Sequence, residues 1–322
     1  MTERLAGVRC LVPGGAGYVG SHIVDALLAA GARVTVLDNF YSGHRWAVGG
    51  AELVEADLAD RTALEVLFAQ RRFDAVIHCA AHIWVGEACR DPGKYYRNNT
   101  ANTALLADLA VGAGVGALVL SSTAAVYGAP APINPYGASK AMAERILTDV
   151  AAAHGRRTAM LRYFNVAGAH DAGHLGEATP DNSHLIKVAC EAAFGLRPGL
   201  HINGTDYPTP DGTCIRDYIH VQDLAEAHVA ALQHLLDGGP SLVLNCGYGR
   251  GYSVREVIDA FMRVSGADLP VAEGPRRPGD PPVLVAGNEA ILATLDWRPR
   301  RDDLDNIIAS AWAFERRLQG RA

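Results

Sequence analysis

Short apolar runs alternate with longer amphipathic stretches through the first half of the chain. Val8–Val12, Arg33–Leu37, Ala51–Glu55, Ala75–His78 and Ala117–Leu120 have the length and apolar character of buried strands. Between them, Tyr18–Ala30, Asp60–Arg71, Lys94–Ala113 and Pro135–Ala153 read as helices, and Thr158–Tyr163 reads as a further strand. Strands alternating with helices predict an α/β fold on a doubly wound parallel sheet. After about residue 165 the rhythm loosens. Pro, Gly, Asp and His crowd 168–181 and 206–213, and helices are expected at Val221–Leu236 and Ser253–Ser265. The expected division is a cofactor-binding domain at 1–167 and a smaller α/β substrate-binding portion at 168–322, with possible crossing back of the chain.

The first strand-to-helix junction reads Gly14-Gly-Ala-Gly17-Tyr-Val-Gly20. Glycines there permit a tight turn and let backbone N–H groups approach a pyrophosphate at the helix N-terminus. The pattern is weak alone. It gains weight from its strand–turn–helix frame and from Asp38, which ends the next strand 18 residues after Gly20. A carboxylate there accepts from ribose hydroxyls and repels a 2′-phosphate, so NAD is expected rather than NADP. A Rossmann-type domain follows. Asp57 stands where it could take the adenine amino group or cap the next helix.

Tyr136-Gly-Ala-Ser-Lys140 carries the candidate chemistry. A Tyr and a Lys four apart share a helix face, one turn from each other. A free phenol titrates near ~10 and is a poor base at neutral pH. An adjacent ammonium is expected to lower the Tyr136 pKa and so make it a general base or acid for an alcohol. The strand Ala117–Leu120 runs into Ser121-Ser122-Thr123, so a hydroxyl at its carboxyl end is placed to meet that Tyr.

Bulk properties narrow the classes. The net charge is -6 with Lys and Arg dispersed, so no basic face for nucleic acid is expected. Six cysteines without a C-x-x-C pair suggest reduced thiols in the cytoplasm. The twelve histidines are scattered along the chain, and no metal is expected. The first residues hold no long apolar run, so neither a signal peptide nor a spanning helix is expected.

The glycine loop, the hydroxyl at the strand end and the Tyr-x-x-x-Lys pair together resemble the extended short-chain dehydrogenase/reductase family. Within it the chain is most similar to the UDP-glucose 4-epimerases. The similarity runs over nearly the whole chain, with long matches at Leu161–Ala169 and Asp211–Val221. It implies NAD held by Gly14, Gly17, Tyr18, Val19, Gly20, Asp38, Asn39, Asp57, Leu58, Ala80, Asn99, Ser121, Tyr163, Tyr136 and Lys140. It implies Tyr136 as base and acid on the sugar 4-hydroxyl, Lys140 as its partner on the nicotinamide ribose, and Thr123 in the place usually held by Ser. The UDP-sugar falls to Thr123, Tyr136, Asn165, His184, Leu185, Arg216, Arg277 and Asp280. Arginines suit a diphosphate through bidentate hydrogen bonds, although each could instead be an ordinary surface ion pair. The reaction so implied has no net redox: C4 is oxidised, the 4-keto sugar turns, and C4 is reduced from the other face.

Several positions depart from the family pattern. Related dehydratases carry Asp-Glu after the strand-end Thr, whereas Ala124 and Ala125 cannot move protons, which argues against elimination. A decarboxylating or 5-epimerising relative is harder to separate, and a silent cofactor-sensing regulator is the alternative of another class. Pro13 replaces a Thr, Ile83 a Lys near the cofactor, and Asn203 an apolar residue of the uracil pocket; loop Gly128–Asn134 is short. Leu284 aligns with the residue that controls room for an N-acetyl group, so plain hexoses are favoured, with pentoses left open. The resemblance also implies a homodimer through Lys94–Ala113 and the Tyr136 helix, although the same apolar faces could be buried within the monomer.

Overall fold

The computed structural model describes residues 4–128, 132, 134–277 and 279–320. It divides into two compact units. The first comprises 1–162, 225–244 and 293–297, and the second 163–224, 245–292 and 298–322, within these described limits.

The first unit is built on β1 (Arg9–Pro13), β2 (Arg33–Asp38), β3 (Glu52–Glu55), β4 (Ala75–His78), β5 (Ala117–Thr123) and β6 (Arg157–Tyr163). The second carries β7 (Asn165–Ala167), β8 (Leu200–Asn203) and β9 (Ile215–His220). Strand β10 (Leu242–Cys246) returns to the first sheet, whose order is β10-β6-β5-β4-β1-β2-β3. β1 is parallel to β2 on one side and to β4 on the other, with Leu11 opposite Thr35 and Val76. The strand order therefore reverses at β1, and ligands in such sheets bind outside the carboxyl ends at that reversal. Those ends carry the glycine turn, Asp38, Cys79 and Ser121–Thr123.

The connecting helices are α1 (Tyr18–Ala29), α2 (Arg61–Gln70), α3 (Val85–Arg90), α4 (Pro92–Tyr95), α5 (Asn102–Gly112) and α6 (Pro135–Ala153). Asp60 caps α2, and Asn134 caps α6 by accepting from Gly137 N at 2.9 Å, with Pro135 pre-set in the first turn. Leu11, Leu64, Val76, Leu106, Leu118 and Leu147 lie in one buried cluster between sheet and helices. Each such side chain contributes about 1.5–3 kcal/mol through removal from water.

The helix expected at Lys94–Ala113 is present as a continuous helical run from Pro92 to Gly112, with one irregularity that the pattern did not show. Asp91 caps α4, and a π-turn at Tyr96–Ala101 intervenes before α5. The wider turn buries Asn99, whose side chain is tied to neighbouring segments. Periodicity cannot register such a bulge, because it shifts the apolar stripe by only one residue. β5 likewise runs on through Ser121, Ser122 and Thr123, all buried.

The chain continues with α7 (Leu185–Ala193), α8 (Val221–Leu236), β11 (Gly251–Ser253), α9 (Val254–Ser265), β12 (Val271–Gly274), β13 (Val283–Leu284), α10 (Glu289–Thr294) and α11 (Leu304–Leu318). The division between units falls at the end of β6 and within α8, β10 and α10, so most of α8 belongs to the first unit. β9 is central: β7 and β13 flank it in parallel and β11 antiparallel. Ile186, Phe261, Ile307 and Tyr218 lie in the second unit's own core.

Candidate active site

The chain leaves β1 through Gly14 at φ 79°. A β-carbon on Gly14 would lie 2.4 Å from Ala80 N, and one on Gly20 would lie 2.1 Å from the Gly14 carbonyl oxygen. Packing alone requires these two glycines. Gly17 differs, because a β-carbon there would meet nothing nearer than the Gly14 oxygen at 3.5 Å. Gly17 is the N-cap of α1, with no side-chain cap and no acid in the first turn. Its uncapped N–H groups and the positive helix end suit a phosphate, and the missing side chain keeps the approach open.

Asp38 is buried at the end of β2. Its carboxylate accepts from Ala16 N at 2.9 Å and Phe40 N at 2.8 Å, which locks the glycine turn to β2. Burial raises its pKa against the pull of those two N–H groups. Each oxygen retains a lone pair for a ribose hydroxyl. Phe40 sits at φ 57°, a strained conformation beside a candidate site that the sequence does not signal. Asn39 donates to Asp57 at 2.6 Å, and Asp57 accepts from Ala59 N at 2.7 Å, while the cap of α2 falls to Asp60. The Leu58 side chain joins the core, which leaves only its backbone for a ligand. Val19 is half-buried and Tyr18 buried, with the Tyr18 carbonyl accepting from Ser21.

Helix α6 brings the reactive side chains to the end of β5. Gly137 permits this, since its β-carbon would lie 2.0 Å from Ala125 O. Tyr136 and Thr123 share a hydrogen bond, and the Tyr95 ring packs edge-on against Tyr136 with centroids 6.4 Å apart. Ser121 Oγ lies 2.9 Å from His228 Nε2 and 3.5 Å from Cys79 Sγ. Lys140 is 3% exposed and makes no hydrogen bond or ion pair with a described residue. A buried ammonium in that condition suits polar ligand atoms.

The expected lowering of the Tyr136 pKa by Lys140 is a correction. Burial raises the phenol, and the hydrogen bond with Thr123 offsets this only in part. Burial also draws Lys140 down to about 8, against the opposing influence of Cys79 and Glu144. Desolvation is the largest influence on both groups, each of which is buried.

Asn99, expected at the cofactor, is held in place by four hydrogen bonds. Its oxygen accepts from His82 N at 2.9 Å and Asn98 Nδ2 at 3.0 Å, and its nitrogen donates to His82 O at 2.9 Å and Ser139 Oγ at 3.0 Å. Its hydrogen-bonding capacity is therefore engaged in fixing the segment after β4 to α6. Ser139 in turn donates to Tyr136 O at 2.7 Å. Ser139, Gly137 and Tyr95 thus support Tyr136. Only Gly137, an unusual residue in a helix's first turn, offered any signal in the sequence.

In the second unit, Asn165, His184 and Leu185 line one cavity, together with Glu177 and Lys187. His184 Nδ1 lies 2.6 Å from Glu177; burial opposes its charge, but the carboxylate prevails and the His184 pKa rises. Arg216 is buried on β9 and donates to Asp280 at 2.8 Å. The two are therefore paired with each other. The Asn203 carboxamide lies against Arg277, and with its amide turned over the oxygen accepts from Arg277 Nη2 at 3.1 Å. Leu284 lies opposite Arg216 in the β13–β9 ladder. Tyr163 is half-buried at the end of β6. Residues 129–131 and 133 of the short loop lie outside the described residues.

Comparison with known proteins gives consistent matches. Residues 10–247 match the NAD dependent epimerase/dehydratase family. A UDP-glucose 4-epimerase of Azospirillum brasilense is 53% identical, covering 99% of this chain and 95% of its own. The crystal structure of UDP-glucose 4-epimerase from Brucella ovis in complex with NAD superposes with a TM-score of 0.92 at 44% identity, covering 95% of this chain and 98% of its own. A UDP-glucose-4-epimerase structure from Stenotrophomonas maltophila with bound NAD and formylated UDP-arabinopyranose gives 0.92 at 38%, covering 98% and 100%.

Proposed function

Because the chain belongs to the NAD dependent epimerase/dehydratase family, we propose that it interconverts UDP-galactose and UDP-glucose by inverting C4 of the sugar. The observation that carries this reading is the hydrogen-bonded Tyr136–Thr123 pair beside the buried Lys140, followed by Ala124 and Ala125. The constellation can move one proton at an alcohol and lacks the extra acid/base pair that elimination needs.

NAD, when bound, supplies the acceptor and donor of hydride for C4. The residues present fit it: an uncapped helix end at Gly17, a carboxylate at the end of β2, and a buried lysine without a hydrogen-bond partner among the described residues. Tyr136 Oη takes the 4-hydroxyl proton and later returns it. Thr123 Oγ1 orients that phenol, and Lys140 holds the nicotinamide ribose hydroxyls. Asp38 accepts from the adenosine ribose. Arg216, Arg277, Asp280, Asn165, His184 and Leu185 bind the UDP-sugar, with Arg216 shared between the diphosphate and Asp280. Firm binding of the nucleotide lets the sugar be held loosely enough to turn, so binding energy away from C4 serves the reacting centre.

A pentose substrate is the second reading, favoured by the similarity to the structure holding formylated UDP-arabinopyranose. We place the protein in the cytoplasm, in galactose metabolism, as a homodimer formed through the faces of α5 and α6. The exposed Met142 on α6 supports that face, and no described helix is long and apolar enough to cross a membrane.

The test is an end-point assay of purified protein on UDP-galactose with no added reductant, products read by chromatography. UDP-xylose and UDP-N-acetylglucosamine are run alongside, with Tyr136→Phe as control. UDP-glucose is expected without net NADH. No conversion of any of the three, with NAD bound, would overturn the reading in favour of a sensor.

A further inference from the structure

Tyr136, Lys140 and Glu144 follow one another at four-residue steps on the same buried face of α6. The first two are accounted for by the proposed reaction, and Glu144 is not. Its carboxylate accepts from Ser122 Oγ, from Arg162 Nε at 2.9 Å and from Arg162 Nη2 at 2.6 Å. Ser122 lies on β5 immediately before Thr123, and Arg162 lies on the neighbouring β6. One side chain therefore joins the helix carrying Tyr136 to the strand end carrying Thr123. Arg162 is held from its other side by Tyr127, whose hydroxyl accepts from Nη1 at 3.1 Å and whose ring lies 5.0 Å from the guanidinium carbon.

We propose that Glu144 is a positioning residue for the proposed epimerisation. It fixes the Tyr136–Thr123 geometry through Ser122 and supplies the negative charge that faces Lys140 from the next turn. The proposal rests on the reading given above.

The groups that face Lys140 are few. From the end of β4 come His78 and Cys79, and from α6 itself Tyr136 and Glu144. Burial holds His78 neutral, with a pKa of about 3, and holds the Cys79 thiol protonated, with a pKa of about 11. Glu144 is thus the fixed anion beside the ammonium. Removing a negative charge lowers the pKa of every neighbouring acid, Lys140 and Tyr136 alike. Uncovering Arg162 acts in the same direction.

The test compares the pH profile of kcat on UDP-galactose for Glu144→Gln, Glu144→Asp and Ser122→Ala, each loaded with NAD. Glu144→Gln keeps the shape and loses the charge; its kcat is expected to fall on the order of tenfold and its profile to move about one pH unit lower. Glu144→Asp is expected to restore the position of the profile. Ser122→Ala removes only the tie to β5, so kcat is expected to fall while the profile stays. A lowered kcat in Glu144→Gln with an unmoved profile would mean a merely structural role and would overturn the proposal. Wild-type kcat in Ser122→Ala would overturn the tie, and does so even if Glu144→Gln does not fold. A second readout needs no turnover: the phenolate absorbance of Tyr136, taken as the difference from Tyr136→Phe, is expected to titrate at lower pH in Glu144→Gln. Wild-type protein inert toward UDP-galactose, with this titration still displaced, would sink the substrate reading and leave the role of Glu144 standing.

Discussion

Gly137 packs its α-carbon so closely on the backbone of Ala125 that a β-carbon would lie 2.0 Å from the carbonyl oxygen. Helix α6 can therefore begin directly against the turn that follows β5, which brings Tyr136 within hydrogen-bonding reach of Thr123. Alanine is the better helix former by about 1 kcal/mol, yet Gly137→Ala is expected to destabilise the protein by about 1–3 kcal/mol through overpacking. Activity is expected to fall further than stability, because α6 can relieve the clash only by moving Tyr136. Denaturant unfolding and kcat, measured side by side, check both. A variant more stable than wild type and fully active would show that the contact does not set the geometry.

Tyr136→Phe removes the only group proposed to move the sugar proton. A loss of about 10²–10⁴ in kcat is expected, with NAD still retained. Thr123→Ala leaves that proton path but deprives the phenol of its hydrogen-bond partner. A smaller loss is expected, on the order of tenfold to a hundredfold. Steady-state kinetics on UDP-galactose rank the two; a Thr123→Ala defect equal to that of Tyr136→Phe would give Thr123 a direct part in proton transfer.

The charge on Lys140 sets a pH dependence for cofactor binding. Burial draws its pKa down to about 8, so it is cationic below that value and neutral above it. A charged donor hydrogen-bonds more strongly than a neutral one by about 1 kcal/mol. The affinity of cofactor-free protein for NAD is therefore expected to weaken roughly fivefold as pH rises through about 8. Calorimetric titration of NAD measures this, and Lys140→Met should bind more weakly with the step abolished. A step of equal size in Lys140→Met would assign it to another group.

Leu284 stands opposite Arg216 in the β13–β9 ladder, beside a candidate diphosphate ligand. Its bulk is expected to disfavour N-acetylated sugars. Leu284→Ala should gain activity on UDP-N-acetylglucosamine relative to UDP-galactose. No gain in the ratio of kcat/KM values would sink the steric account.

Asp217, fully buried on β9, accepts from Tyr248 N at 3.1 Å, Gly249 N at 2.9 Å and Ala286 N at 3.2 Å. Asp217→Asn keeps the shape but turns an amide donor toward backbone donors. A loss above about 2 kcal/mol is expected by chemical denaturation, since a buried donor left without an acceptor costs about 1–3 kcal/mol. An unchanged midpoint would mean that the three N–H groups find other partners.

Much of the first unit was legible. Gly14, Gly20, Asp38, Tyr136 and Lys140 lie in local frames where spacing along the chain fixes their position, and α6 begins and ends where its pattern predicts. Later in the chain the helices expected at Val221–Leu236 and Ser253–Ser265 are found as α8 and α9, but the strands of the second unit were not read. Strands β7, β8 and β9 are short and pair with segments far away in the chain, so no local period announces them. Helix α11 went unread for a related reason: its apolar side chains face a core whose other walls come from α7 and α9.

The sequence by itself determined the alternation of strands and helices, the uncapped glycine turn and the Tyr–Lys spacing, because each depends on neighbours within one or two turns. Only the tertiary structure decided what those groups experience. It committed the Asn99 carboxamide to His82 and Ser139, paired Arg216 with Asp280, and set burial above charge at Tyr136 and Lys140. These outcomes depend on solvent exclusion and on partners tens of residues away. Both arise when the chain packs and cannot be read from any local stretch of it.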